Sequence, residues 1–133
     1  MSDKLSFIVP LVPPGVNHYV RHYRNGAHRV TEEALAFKSA LAIYAAGRTV
    51  KAKRFAVTIL VVKGKKDRGD VDNYPKLVLD GLATAGVFLT PKGERSSDAH
   101  VHKLVVAMDG DLRPERGQTE ITVEALGGGL EDR

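Results

Sequence analysis

The sequence predicts an α+β fold, a small mixed β-sheet of about four strands packed with two helices, in one domain spanning residues 1–133. Three observations carry this expectation. Apolar residues alternate with the period of a strand in several stretches and recur at helical spacing in two others. The order along the chain reads strand, loop, helix, strand, helix, strand, strand, which suits a mixed single domain. A chain of 133 residues that is 43% apolar is the size of one core and too short for two comfortable domains.

Leu5 to Leu11 reads as a strand ended by Pro13-Pro14-Gly15. Asn17 to Val30 is polar, aromatic and basic, with a turn at Asn25-Gly26. Thr31 is an N-cap candidate, and Glu32 and Glu33 follow where the helix dipole favours acids. Ala34, Phe37, Leu41 and Ala45 then form an apolar helical stripe, widened by Ala40 and Tyr44. Ile43 flanks the stripe and Leu35 falls off it, and Gly47-Arg48 closes the helix. Arg54 to Lys63 is apolar on both alternating faces, the pattern of a central, covered strand. Asn73 is an N-cap candidate for a second helix, with Pro75 in its first turn and Gly86 as its stop. Tyr74, Leu77, Val78, Leu82 and Ala85 share one face of it, and Lys76 and Asp80 lie one turn apart on another. Thr90 to Ser97 is a polar loop. His100 to Met108 and Gln118 to Leu126 are the last strands, joined by a turn-rich connection. The tail from Gly127 to Arg133 reads as frayed.

Composition excludes several classes of function. There is no cysteine, which removes disulfides, thiolate metal sites and cysteine catalysis and leaves metals held by carboxylates. No apolar run approaches the length of a spanning helix. The apolar stretch near Met1 is too short for a secretory signal, so the expectation is a soluble, cytoplasmic protein without a membrane partner. The net charge of +4 permits a polyanionic partner without requiring one. Its distribution says more. Arg21, His22, Arg24, His28 and Arg29 cluster without an acid, and Lys51, Lys53, Arg54, Lys63, Lys65, Lys66 and Arg68 face only Asp67.

The second cluster runs into Arg68-Gly69-Asp70-Val71-Asp72-Asn73-Tyr74-Pro75-Lys76, continuing to Asp80. Asp70 and Asp72 are two residues apart, so in extended chain they point the same way and can share one hard cation. Lys76 follows one helical turn in. Two carboxylates and a following cation are what phosphodiester hydrolysis requires: the carboxylates hold Mg²⁺ and the lysine offsets developing charge. The plainer readings stand beside this one. Asp-x-Asp-Asn before a helix is also an ordinary loop and N-cap, and Lys76 with Asp80 is also an ordinary i,i+4 surface pair. An EF-hand reading fails, because Tyr74 and Pro75 occupy its fifth and sixth positions and Gly81 its bidentate glutamate position.

These residues resemble the RusA-type Holliday-junction resolvases, crossover junction endodeoxyribonucleases. The resemblance runs from about Phe7 to Leu126. It begins at Pro13-Pro14-Gly15-Val16-Asn17-His18-Tyr19, is sharpest at Asp70-Val71-Asp72-Asn73 with Lys76 and Asp80-Gly81-Leu82, and continues to Ser97-Asp98-Ala99-His100-Val101. It implies a Mg²⁺-dependent nuclease, with Mn²⁺ as the other candidate metal, that resolves four-way DNA junctions as a homodimer by paired nicks leaving 5′-phosphate and 3′-hydroxyl ends. Carried over residue by residue, Asp70, Asp72 and Asp98 are the metal carboxylates, Lys76 is the catalytic lysine and Asn17 belongs to a substrate loop. Asp80 matches a frequent family position, with orientation of Lys76 as its candidate role. Ser97 stands where the family has the first of two aspartates, and His100 replaces a glutamine. The loop before them is longer than usual, which leaves Glu94 as an alternative third ligand.

Arg21, Arg24, Arg29, Lys65, Lys66 and Arg68 are the candidate DNA-backbone contacts. Tyr19 and Tyr23 suit either stacking on unpaired bases or packing. His18, His22, His28, His100 and His102 read as exposed or structural before they read as catalytic. Two other functions remain open on sequence: a catalytically inactive DNA-binding module of the same fold, and a metal-dependent phosphatase of small molecules. Asp70→Asn and Asp72→Asn each remove a carboxylate and a charge that repels phosphate. Each is expected to abolish Mg²⁺-dependent cleavage while junction binding, followed by gel shift, persists or tightens; equal loss of both in a folded variant argues against a metal role.

Overall fold

The computed structural model describes residues 3–14, 20–22, 28–30, 32–65, 75–109 and 114–126. The expected α+β architecture is present. Strands β1 (Lys4–Val9), β5 (Arg54–Val62), β7 (Val101–Asp109) and β8 (Gln118–Leu126) form one sheet in the order β1-β8-β5-β7. β8 is antiparallel to both β1 and β5, and β5 is parallel to β7, so the sheet is mixed. Two short ribbons accompany it: β2 (Val20–His22) antiparallel to β3 (His28–Val30), and β4 (Val50–Lys51) parallel to β6 (Phe88–Leu89). The helices are α1 (Glu32–Ala45) and α2 (Pro75–Thr84). Among the described residues, no helix is long and apolar enough to cross a membrane.

Alternation decides which sheet face is the core. Leu5, Val123 and Val57 form one buried row across β1, β8 and β5; Phe7, Ile121 and Ile59 form the next; Val9, Thr119 and Val61 the third. Thr119 is the polar exception, and its hydroxyl donates to the Leu11 carbonyl at 2.7 Å, so its burial leaves no unmet hydrogen bond there. The expectation that Arg54 to Lys63 is covered on both faces does not hold. β5 is central in the sheet, but Thr58 is exposed and Ala56, Leu60 and Val62 are only half-buried. Two helices supply one covering layer, and their buried residues join the cluster of Phe55, Val57, Ile59 and Val61. The other face carries hydroxyls instead: Ser6, Thr122 and Thr58 align across three strands, with Ser6 Oγ 3.0 Å from Thr122 Oγ1.

The helical stripes match the spacing. Ala34, Phe37, Leu41 and Ala45 are the buried residues of α1, while Leu35 is exposed and Ile43 is 71% exposed. Tyr44 is also exposed rather than widening the buried stripe. Its carbonyl, with that of Ala45, accepts hydrogen bonds from the Arg48 guanidinium, both at 3.0 Å. That guanidinium lies 5.8 Å from the centroid of the Phe7 ring, so one side chain closes α1 and pins it to β1. On α2, Leu77, Val78, Gly81 and Leu82 are buried. The helix ends as its glycine predicts: Gly86 has φ 76°, its amide donates to Ala83, and the Val87 amide donates to Leu82. The chain then leads to Phe88, whose ring packs on Phe55 with centroids 4.7 Å apart. Thr31, Asn73 and Tyr74, the Asn25-Gly26 turn and the tail 127–133 lie outside the described residues.

Gly81 faces α1 closely. A Cβ there meets Leu41 Cδ1 at 3.0 Å, and Leu41 is fully buried. Gly81→Leu is therefore expected to cost about 1–3 kcal/mol by overpacking, despite its better helix propensity. Leu41→Ala alone is expected to cost about 2–5 kcal/mol. In urea unfolding the double variant should lose less than the sum, because each change accommodates the other.

Candidate functional site

Of the candidate metal residues, Asp98 is described directly, and its local structure follows from its neighbours. Asp98 opens a 3₁₀ turn, Asp98–His100, just before β7. Ser97 caps that turn: its hydroxyl accepts from the Ala99 amide at 3.3 Å, and its carbonyl accepts from the His100 amide at 3.2 Å. The serine that departs from the expected aspartate pair thus has a capping role of its own. The Ser96 amide donates to Phe88 at 2.9 Å, which ties the turn to β6. Asp98 is half-buried, and the turn packs beside α2, the helix that carries Lys76 and Asp80. Lys76 is the second residue of α2 and is exposed; Asp80 follows one turn later and is half-buried.

Glu94, the alternative ligand, sits in a different setting. The Thr90 amide donates to the Glu94 carbonyl at 2.7 Å, and the Glu94 amide donates to Thr90 Oγ1 at 3.1 Å. Gly93, at φ 85°, makes that tight closure possible. Next in sequence, the Arg95 guanidinium donates to Ala83 at 3.1 Å and to Thr84 at 2.7 Å, capping the last carbonyls of α2. The Glu94 turn is therefore fastened to the end of α2 opposite Lys76. Eight residue steps, about 12 Å along the axis, separate Lys76 from Thr84.

Asp70, Asp72, Lys66 and Arg68 lie outside the described residues, as do Asn17, Arg24, Tyr19, Tyr23 and His18. The flanks of the Asp70–Asp72 segment are described. Pro75 starts α2, and the Lys65 amide donates to the Pro114 carbonyl at 2.9 Å beyond the end of β5. Asp98 lies at the other end of that strand, since Val101 pairs with Phe55. Seven residue steps, about 23 Å, separate Phe55 from Val62. Thus α2 is the described link between Asp98 and the segment bearing the paired aspartates. Among the described residues, no group of three His, Cys, Asp or Glu is placed to hold a metal ion. The candidate donors are carboxylates in a chain without cysteine, which suits a hard divalent cation such as Mg²⁺ or Mn²⁺.

The basic candidates divide. Lys65 forms an exposed ion pair with Glu115, Nζ to Oε1 at 2.7 Å, a contact of small energy. In the β2–β3 ribbon, Arg21 is the partner of Arg29 and His22 of His28. The sequence showed these residues as a basic cluster; the antiparallel register that puts two arginines on one rung became visible only with the fold. No protein-family model matches the chain, and no curated protein matches it.

The two candidate third ligands separate experimentally. Asp98→Asn is expected to raise the Mg²⁺ concentration for half-maximal cleavage and to lower the maximal rate, because two carboxylates and water hold a hard cation weakly. Glu94→Gln is expected to leave both values within about twofold, as suits an exposed side chain at the far end of α2. A metal titration of cleavage distinguishes the outcomes, and an inactive Glu94→Gln with an active Asp98→Asn reverses the assignment.

Proposed function

We propose that this chain is a Mg²⁺-dependent, structure-specific DNA endonuclease that resolves four-way junctions by paired symmetric nicks, working as a homodimer in the cytoplasm. The observation that carries the reading is the packing of the Asp98 turn beside α2, the helix of Lys76 and Asp80. It brings a carboxylate remote in sequence beside the helix that carries Lys76 and Asp80. The basic cluster Arg21, His22, Arg24, His28 and Arg29 supports a polyanionic partner.

In this reading Asp70, Asp72 and Asp98 hold the cation, which when bound supplies Lewis-acid activation of water and neutralisation of phosphate charge. Lys76 places its ammonium against the charge that builds on the phosphate oxygens as water attacks in line. The P–O3′ bond breaks, leaving a 3′-hydroxyl and a 5′-phosphate. Asp80, one turn along the same helix, is a positioning residue for Lys76. Asn17, Arg21, Arg24, Arg29, Lys65, Lys66 and Arg68 hold the DNA backbone.

A synthetic four-way junction incubated with Mg²⁺ beside a linear duplex of the same sequences tests the reading. Expected are paired nicks in the junction, an intact duplex, and loss of cleavage with chelator. An uncut junction that is still bound indicates an inactive binding module. Hydrolysis of small phosphate esters without salt-sensitive DNA binding indicates the phosphatase. Lys76→Ala is expected to slow single-turnover cleavage about 100-fold while junction affinity changes less than threefold, the signature of a charge used mainly in the transition state.

A further inference from the structure

The two helices end at one place. α1 leads into β4 and α2 into β6, and these strands pair in parallel, Val50 with Phe88 and Lys51 with Leu89. An arginine meets the carbonyls at each helix end: Arg48 those of Tyr44 and Ala45, Arg95 those of Ala83 and Thr84. Those two cations offset the negative ends of the helices. Three lysines at the same place are not engaged in this way. Lys51 lies in β4, Lys53 follows it, and Lys92 belongs to the hairpin that leaves β6. Lys53 and Lys92 are exposed and Lys51 is half-buried. Among the described residues, none forms an ion pair or a side-chain hydrogen bond with any of the three.

The backbone holds these lysines in fixed positions. The Ala52 amide donates to the Leu89 carbonyl at 3.0 Å, between Lys51 and Lys53. Leu89 and Arg95 bridge antiparallel, and the Gly93 amide donates to the Thr90 carbonyl at 2.8 Å. With Gly93 at φ 85°, this is a tight hairpin closed through a left-handed glycine. Pro91 stiffens the turn just before Lys92. The Lys51 side chain lies against the same turn, since a Cβ on Gly93 would be 3.6 Å from its Cε and Nζ. Glu94, the acid of this hairpin, joins no described lysine in an ion pair.

We propose that Lys51, Lys53 and Lys92 form a second phosphate-binding site, which holds the backbone of a duplex DNA arm away from the cleaved bond. The proposal rests on the nuclease reading and extends it to a surface outside the DNA contacts assigned above. A duplex carries a phosphate about every 3.4 Å of axis on each strand, so a cation cluster of this size meets two or three together. The hairpin is fastened to the end of α2 opposite Lys76. That offset is about 12 Å along the helix, the rise of three to four base pairs. Lysines on a rigid turn contact the backbone as point charges and carry no sequence readout. The site therefore adds affinity for an arm and leaves the chemistry at Lys76 unchanged.

Binding to a fluorescent four-way junction is measured by anisotropy with EDTA in place of Mg²⁺, so that no strand is cut. The triple variant Lys51→Ala, Lys53→Ala, Lys92→Ala is expected to bind about 10- to 100-fold more weakly at about 100 mM salt. Its plot of log affinity against log salt should be shallower by about 2–3, one counterion for each lost contact. Replacing the same three lysines by arginine should keep affinity within about threefold, because the charges remain. Lys4→Ala, an exposed position on the far edge strand β1, should change neither value by more than about twofold. With Mg²⁺ and saturating protein, the alanine triple should cleave within about twofold of the wild-type single-turnover rate, as suits binding away from the reacting bond. Unchanged affinity and salt slope in the alanine triple overturn the site alone, since wild-type binding then stands without it. An arginine triple as weak as the alanine triple overturns it too. A wild-type chain that binds no junction overturns the site together with the nuclease reading.

Discussion

The pairing of β8 with β5 is the interaction on which the rest of the molecule depends. Nine consecutive rungs run from Arg54 opposite Leu126 to Val62 opposite Gln118. Because β8 also pairs with β1 over six rungs, the last strand of the chain lies between the first strand and the central one. The three buried rows do not exist until that strand is in place, and the helices have no continuous surface to cover before then. A sheet closed by its most distant segment pays its loop entropy early and gathers its apolar contacts late. The Thr119 hydroxyl on Leu11 and the Ser6–Thr122 hydroxyl contact fasten the same junction from its two faces.

From that closed sheet the position of α2 follows. Its buried side joins the β5 row, and its glycine at 81 lets Leu41 of α1 approach where a side chain would intervene. Its C-terminal end is fixed twice, by the Gly86 turn and by the Arg95 guanidinium on its last carbonyls. The 3₁₀ turn at Asp98 is held to β6 through Ser96 and leads into β7 beside Phe55. The candidate site thus rests on the β5–α2–β7 crossover, with α2 carrying Lys76 and Asp80 and the strand entry carrying Asp98. The functional reading and the core share this one unit.

Uneven cover explains the open side of the sheet. Two helices extend over β1, β8 and β5, and at β7 they bury the sheet only in part: Val101 and Val106 pack on the core while Leu104 and Met108 remain largely exposed. The edge strand is consequently apolar without being enclosed.

Periodicity by itself determined the two helices, the four long strands and the stripes Ala34-Phe37-Leu41-Ala45 and Leu77-Val78-Leu82, because side-chain spacing of 3.6 or 2 directly encodes which face is buried. Gly86 as a helix stop was equally readable, since a left-handed residue is a local demand. The chemistry of Asp70, Asp72, Lys76 and Asp98 was visible as a pattern of residue types. Their places relative to one another were not, since sequence carries no distance between residues 76 and 98, and Asp70 and Asp72 lie outside the described residues. Only the tertiary structure decided that α2 lies beside the Asp98 turn, that Arg95, next to Glu94, caps the C-terminal end of α2, and that Arg21 and Arg29 share a rung. It also decided that β5, apolar on both faces, is covered on one: cover depends on how many helices reach a face, and a strand's own residues do not record the layer above them.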